Sequence, residues 1–350
     1  MEANQLTPPR PPNLGAALRR AGLRHAQPEE LSLSRRRCGR GFVYHDAEGR
    51  RVSDHRVIER IRSLAVPPDY RNVRIAADPA AHLQAVGEDA AGRLQYRYHP
   101  DWETVRETGK VQRLALIARA IPRIRRRVVQ DLRGDVGSRE LALAAVVSLI
   151  DHTHIRIGCE DYVHSGRSRG ACTLLKQHVR CQGDTIALTF PGKGGREVVC
   201  SIVHPELSAA MRDLAALPGR RLFQYRNDDG RLRRITAADV NLYLRTVAGA
   251  PVTAKDFRTL AATAAAGMRL ARIAPAATQT ARRRQIASVM KEVAELLGNT
   301  PAVARRSYVH KELVEAFLEG RLLRLYARAR GGGRRKGEAL VAALFGAGVS

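Results

Sequence analysis

The sequence predicts an α+β protein in two parts. A small, β-sheet-rich N-terminal domain precedes a larger, mainly helical one that carries a small β-hairpin sheet. Three observations lead there. At 350 residues the chain is too long for one small core, so two domains are the natural expectation. Short strand-like runs between turn signals cluster before residue 100, and long apolar-periodic stretches dominate after it. A hydrophobic content of 44% belongs to a globular chain rather than a disordered one.

In chain order, residues 1–30 are expected to form a flexible basic arm. It opens on the polar, Pro-rich MEANQLTPPRPPN, and residues 14–25 could coil into a short helix. The N-terminal domain is placed at 31–104. There Phe42-Val43-Tyr44 runs into the turn Asp46-Ala47-Glu48-Gly49, a hairpin signal. Ser53-Asp54 caps a helix with the apolar stripe Val57, Ile58, Ile61 and Leu64, and Pro67-Pro68 ends it. Strand-like pieces follow at 73–76, 83–86 and 93–99. Residues 100–109, with the only tryptophan, Trp102, read as a connection.

The helical domain is placed at 105–328. A basic helix is expected over 111–134, and one over 138–150 that is apolar nearly all round and therefore buried. Strands at 185–190 and 197–203 flank Pro191-Gly192-Lys193-Gly194-Gly195, a hairpin signature. Helices resume at 205–217, 236–247, 254–270 and 277–297. Gly298-Asn299 stops the last of these, because both residues tolerate positive φ. Thr300-Pro301 starts another, with Thr as cap and Pro in the first helical position. Residues 329–350, containing Gly331-Gly332-Gly333-Arg334-Arg335-Lys336, are expected to be a flexible basic tail.

The net charge of +26 creates a field that attracts polyanions, nucleic acid above all. Charge alone leaves a merely sticky basic protein open. Five cysteines without a C-x-x-C pair argue against a disulfide framework or zinc ribbon and suit a reducing cytosol. Neither a signal-peptide core nor a run of roughly 18 apolar residues is visible, so a soluble cytoplasmic protein is expected.

Five residues stand out as chemistry. Arg156, in Asp151–Glu160 (DHTHIRIGCE), is flanked by Ile155 and Ile157. A buried Arg needs a counterion, either a carboxylate or a phosphate. Taken alone, a pair with Asp151 or Glu160 is the stronger reading. His152 and His154 stand two apart, on different faces of a helix, and no further ligand completes a metal site. Lys193 sits at the hairpin tip, where a solvated turn residue is the ordinary reading. Ala187 stands where a P-loop needs Gly, so no ATP site is implied. Arg258 lies in the first turn of a helix, an end that disfavours cations unless an anion is bound. Tyr308 follows Arg305 and Arg306 and can be a surface phenol or a nucleophile.

Together, Arg156, Lys193, Arg258, Asn299 and Tyr308 suit phosphoryl transfer through a phosphotyrosine. A phenol of pKa about 10 needs nearby positive charge to attack. Two guanidiniums can grip the non-bridging oxygens, and Asn299 adds a neutral donor. A Lys acting as general acid on the departing sugar hydroxyl contributes about 10²–10⁴-fold.

These stretches (IRIG, PGKGG, KDFRT and GNTPAVARRSY, in this order) resemble the type IB DNA topoisomerases of the small poxvirus-like and bacterial kind, over residues 35–325. The resemblance implies a C-shaped clamp around double-stranded DNA, acting as a cytoplasmic, nucleoid-associated monomer. It implies Tyr308 as nucleophile, Lys193 as general acid, and Arg156, Arg258 and Asn299 as phosphate ligands. Neither ATP nor an obligatory divalent cation is implied. RLQYRYH and CTLLKQHV look like the family's DNA-contacting segments, which suggests DNA contacts from Gln95, Tyr96, Tyr98 and Lys176; Tyr162, outside both, is a further expected contact. One departure is Asn299: viral members carry His there.

A tyrosine recombinase shares the Arg, Lys, Arg, Tyr logic but usually has an all-helical N-terminal domain, whereas strands are expected here. A non-enzymatic basic DNA-binding protein explains the charge but not five motifs in order.

Overall fold

The computed structural model describes residues 14–160, 163 and 168–346. The chain forms two compact units, Met1–Lys110 and Val111–Ser350.

The first unit is built on an antiparallel sheet of β1 (Leu33–Cys38), β2 (Gly41–His45), β3 (Arg71–Ile75), β4 (Leu83–Glu88) and β5 (Leu94–Tyr98), in the order β2-β1-β3-β4-β5. Side chains alternate across a strand. Ile75 and Ala85 pack with Leu33, Val73 and Ile61 of α2 (His55–Ser63), while Ala76, Leu83 and Val86 pack with Ala26, Leu31 and Ala81; a register shift between Leu83 and Ala85 puts these two on opposite faces. With both faces covered, β4 is buried along nearly its whole length, Gln84 included. Asp54 caps α2 by accepting from the Arg56 N–H at 2.8 Å, as the sequence predicts. The hairpin differs from expectation. β2 pairs with the preceding β1 around Gly39, and the Asp46–Gly49 turn closes only a single bridge, His45 to Arg51.

Two further expectations are corrected here. Residues 14–30 are not a free arm: α1 (Leu14–Arg20) buries Leu18, which packs with Leu23, Trp102 and Val105. Residues 100–109 are not a loop connection, because α3 (Trp102–Asp131) already begins there. In both places a few apolar side chains among polar neighbours find each other only in three dimensions.

The second unit surrounds α4 (Arg139–Thr153), whose residues from Leu141 to Asp151 are all buried. A sheet of β6 (Val179–Gln182), β7 (Thr185–Pro191) and β8 (Glu197–Val203) carries the expected hairpin, with Lys193–Gly195 as its turn. Ile186, Leu188 and Phe190 point inward at the period of a strand. A two-stranded piece, β9 (Gln224–Arg226) and β10 (Leu232–Arg234), follows α5 (Pro205–Ala216). The remaining helices are α6 (Ala237–Ala248), α7 (Ala254–Leu270), α8 (Gln279–Leu297), α9 (Pro301–Ser307), α10 (Lys311–Leu318), α11 (Arg321–Arg328) and α12 (Gly333–Gly346).

Helix α12 lies within the expected flexible tail and corrects it for 333–346. Leu340, Val341, Leu344 and Phe345 are buried, and Gly337 and Leu340 press on Ala264 and Gly267 of α7. The tail's Gly and Arg residues hide this apolar stripe from a compositional reading.

Candidate active site

Arg156 is held by a loop after α4 whose geometry depends on two glycines. Ala171 and Cys172 donate their N–H groups to the carbonyls of Arg156 and Ile157, each at 2.8 Å. Gly158 has φ +80°, and a Cβ on Gly170 would lie 2.4 Å from the Arg156 carbonyl oxygen. Only glycine permits so close a backbone approach. Gly170→Ala must therefore displace the Arg156 loop. A misplacement of about 1 Å in a reacting constellation costs about 10²-fold, and single-turnover DNA cleavage should fall by that order.

The ion pairs favoured for Arg156 by local sequence do not form. Asp151 pairs with Arg125 and Arg334, and Glu160 pairs with Arg221. Arg156 instead donates to the neutral Oδ1 of Asn299 at 2.7 Å. The Asn299 Nδ2 is buried and has no partner among the described residues.

Arg258 is 4% exposed. The acid beside it, Asp256, is taken by Arg113 from α3 and by the Thr253 N–H, which it caps. Arg258 donates to the Leu297 carbonyl at 2.9 Å, and its Nε has no partner among the described residues. A buried guanidinium without a carboxylate is unusual, and each unsatisfied buried donor costs about 1–3 kcal/mol. Donors from two elements, Arg258 Nε and Asn299 Nδ2, are thus left without a partner among the described residues.

Tyr308 leaves α9 as its C-terminal cap. The Gly298 stop, at φ +59°, and the Thr300-Pro301 restart stand as the sequence predicts. The Tyr308 carbonyl accepts from Thr263 Oγ1 on α7 at 2.9 Å, a positioning contact that the sequence reading missed. The Arg258 guanidinium carbon lies 5.5 Å from the phenol ring centre. Burial pushes the phenol up, but Arg258, by charge and hydrogen bonding, and then Arg156 and Lys255, by charge, bring it below the ordinary tyrosine value.

A cleft of about 290 Å³ gathers Arg156, Lys193, Arg258 and Asn299 on its walls. Lys193 is exposed at the hairpin turn and has no ion-pair partner among the described residues. Tyr308 is not part of that lining and meets the cluster through Arg258. Arg169, also on the cleft wall, was missed; it donates to the Thr173 carbonyl at 2.8 Å, and nothing local in the sequence marks it. Among the described residues, no group of three His, Cys, Asp or Glu side chains could hold a metal ion.

Residues 100–320 match the family described as eukaryotic DNA topoisomerase I, catalytic core, and all five clustered residues lie within that span. Residues 41–89 match the bacterial DNA topoisomerase IB N-terminal domain. The chain belongs to the type IB DNA topoisomerases. Its relative DNA topoisomerase 1B of Acanthamoeba polyphaga mimivirus is 30% identical over 298 residues, which cover 81% of this chain and 87% of that protein. As a type IB topoisomerase the protein is an isomerase whose substrate is DNA.

The expected DNA-contacting residues of this topoisomerase fall into different settings. Gln95, Tyr96 and Tyr98 lie on β5. Tyr96 stacks on Tyr98 at 6.3 Å, Tyr98 stacks on Trp102 at 5.7 Å, and Gln95 donates to Asp89 at 3.0 Å. Lys176 is half-buried, donates to the Leu217 carbonyl, and is not among the cleft residues. Tyr162 lies outside the described residues. No helix among the described residues is long and apolar enough to cross a membrane.

Proposed function

We propose that this topoisomerase relaxes positive and negative supercoils through a transient 3′-phosphotyrosyl link made by Tyr308. The Tyr308 oxygen attacks a backbone phosphorus, and the P–O5′ bond breaks. Arg156 and Arg258 hold the two non-bridging oxygens, where guanidinium forks match phosphate geometry and charge develops in the transition state. Asn299 Nδ2 supplies a neutral third donor. Lys193, mobile and hydrated at its turn, delivers the proton that the 5′-oxygen needs on leaving. The nicked duplex swivels about its intact strand, and the 5′-hydroxyl then attacks the phosphotyrosine and restores the backbone.

The ester conserves the energy of the broken diester, so the cycle requires no ATP. The arginines supply the positive charge at the phosphate, so a divalent cation is not obligatory. Gln95, Tyr96 and Tyr98 of the N-terminal unit and Tyr162 and Lys176 of the second unit are the expected DNA contacts. The protein acts as a cytoplasmic monomer on nucleoid DNA.

The observation that carries this reading is the pair Arg156 and Arg258: neither pairs with a carboxylate among the described residues, and both line one cleft with Asn299, whose buried Nδ2 has no partner among them. Purified protein should relax plasmids of either supercoil sign in excess EDTA without ATP. Activity should fall as salt rises, since phosphate contacts release counterions. An absence of relaxation under these conditions, with DNA binding intact, contradicts the proposal.

A further inference from the structure

We infer that the C-terminal helix α12, which follows the nucleophile by some two dozen residues of chain, is a strut that sets the position of Arg156 relative to Arg258, with Arg334 as the positioning residue. The inference rests on the phosphate-gripping roles proposed above.

Three observations converge. The last turn of α4 ends in Asp151, which is 3% exposed and accepts from Arg125 Nε at 2.8 Å and from Arg334 Nη2. Glu338, one turn further along α12 and also buried, accepts from Arg125 at 2.6 and 2.8 Å and from Arg334 Nε at 2.9 Å. Two buried carboxylates and two guanidiniums thus join α12, α3 and the end of α4, five residues before Arg156. Such a network is strongly weakened by losing one member, because a buried charge is left uncompensated.

Secondly, the backbone between Asp151 and Arg156 is not in a relaxed form. His154 caps α4 in the left-handed region (φ +55°, ψ +20°), its Nδ1 is buried, and that atom has no partner among the described residues. A non-glycine residue holds such a conformation only where its surroundings over-determine it. The anchor on one side is the Asp151 network, and on the other the Gly158–Gly170 contact.

Thirdly, the same helix sits directly on α7, which bears Arg258 near its start and Thr263, the residue that holds the Tyr308 carbonyl. A Cβ on Gly337 would lie 3.1 Å from Ala264 Cβ, and one on Gly267 3.1 Å from Leu340 Cδ2. One element is thereby packed on the helix that bears Arg258 and ion-paired to the end of the helix that leads into Arg156.

The test is a double-mutant cycle on single-turnover cleavage by the full-length protein, with DNA affinity and thermal stability measured in parallel. Arg334→Met should slow cleavage about tenfold or more without weakening DNA binding, and Arg334→Lys should restore most of the rate. In an Arg156→Ala background, Arg334→Met should cost little further, because the two residues act as a unit. Glu338→Gln, which keeps the shape of the network, should behave as Arg334→Met does and serves the same cycle if the Met variant folds poorly. An equal loss in both backgrounds, or an unchanged rate in either variant, overturns the strut. A normal rate for Arg156→Ala alone instead overturns the proposed role of Arg156, so the two failures are distinguishable.

Discussion

Tyr308→Phe binds duplex DNA like the unaltered protein but forms no covalent adduct and relaxes no plasmid: this is the largest effect expected. The substitution removes one oxygen and leaves the ring against Arg258, so the fold and the basic surface are preserved. Only the proposed nucleophile is lost, and among the described residues no second tyrosine shares its setting. Tyr326, whose phenol is also held below the ordinary value by hydrogen bonding to Arg272, is half-buried against the core and lies outside the cleft. Binding by gel shift and adduct formation by denaturing electrophoresis separate the two properties. An adduct of normal yield would place the nucleophile elsewhere.

Arg258→Ala and Arg156→Ala should each lower the cleavage rate by about 10²–10³-fold, the loss typical of removing one preorganised donor from a developing charge. Arg258 has a second effect. It is the main group that brings the Tyr308 phenol down, ahead of Arg156 and Lys255, while burial opposes it. Without Arg258 the burial remains and the stabilising charge does not, so the phenol moves up. The pH–rate profile for cleavage should therefore rise at higher pH in Arg258→Ala than in the unaltered protein, with a smaller displacement in the same direction for Arg156→Ala. Profiles that coincide after scaling would restrict both arginines to gripping the phosphate.

What was legible in the sequence was local or repetitive. Gly298 and Thr300-Pro301 act within a turn of themselves, so the end of α8 and the start of α9 could be read directly. The apolar run of α4 and the alternation of Ile186, Leu188 and Phe190 in β7 are equally local signals. The partners of Arg156 were not legible. Asp151 and Glu160 stand close to it in sequence, yet they are taken by Arg125, Arg334 and Arg221 from elsewhere in the chain. The contact that does form, to Asn299, spans 143 residues. Thr263 was missed for the same reason: the Tyr308 carbonyl it holds is 45 residues away in sequence. The helix at the start of 14–30 was read from the sequence but not its packing on Trp102 and Val105, and the ordered end at 333–346 was hidden by composition. The Gly-Gly-Gly-Arg-Arg-Lys run at 331–336 outweighed the short apolar stripe Leu340, Val341, Leu344 and Phe345 that anchors α12.

The central claim is tested most directly by locating the covalent bond. A duplex designed to lose its 5′-hydroxyl fragment after cleavage traps the intermediate, and protease digestion followed by mass spectrometry identifies the attached residue. The expected product is a nucleotide joined by its 3′-phosphate to the peptide containing Tyr308. Attachment to any other residue, or through a 5′-phosphate, contradicts the account.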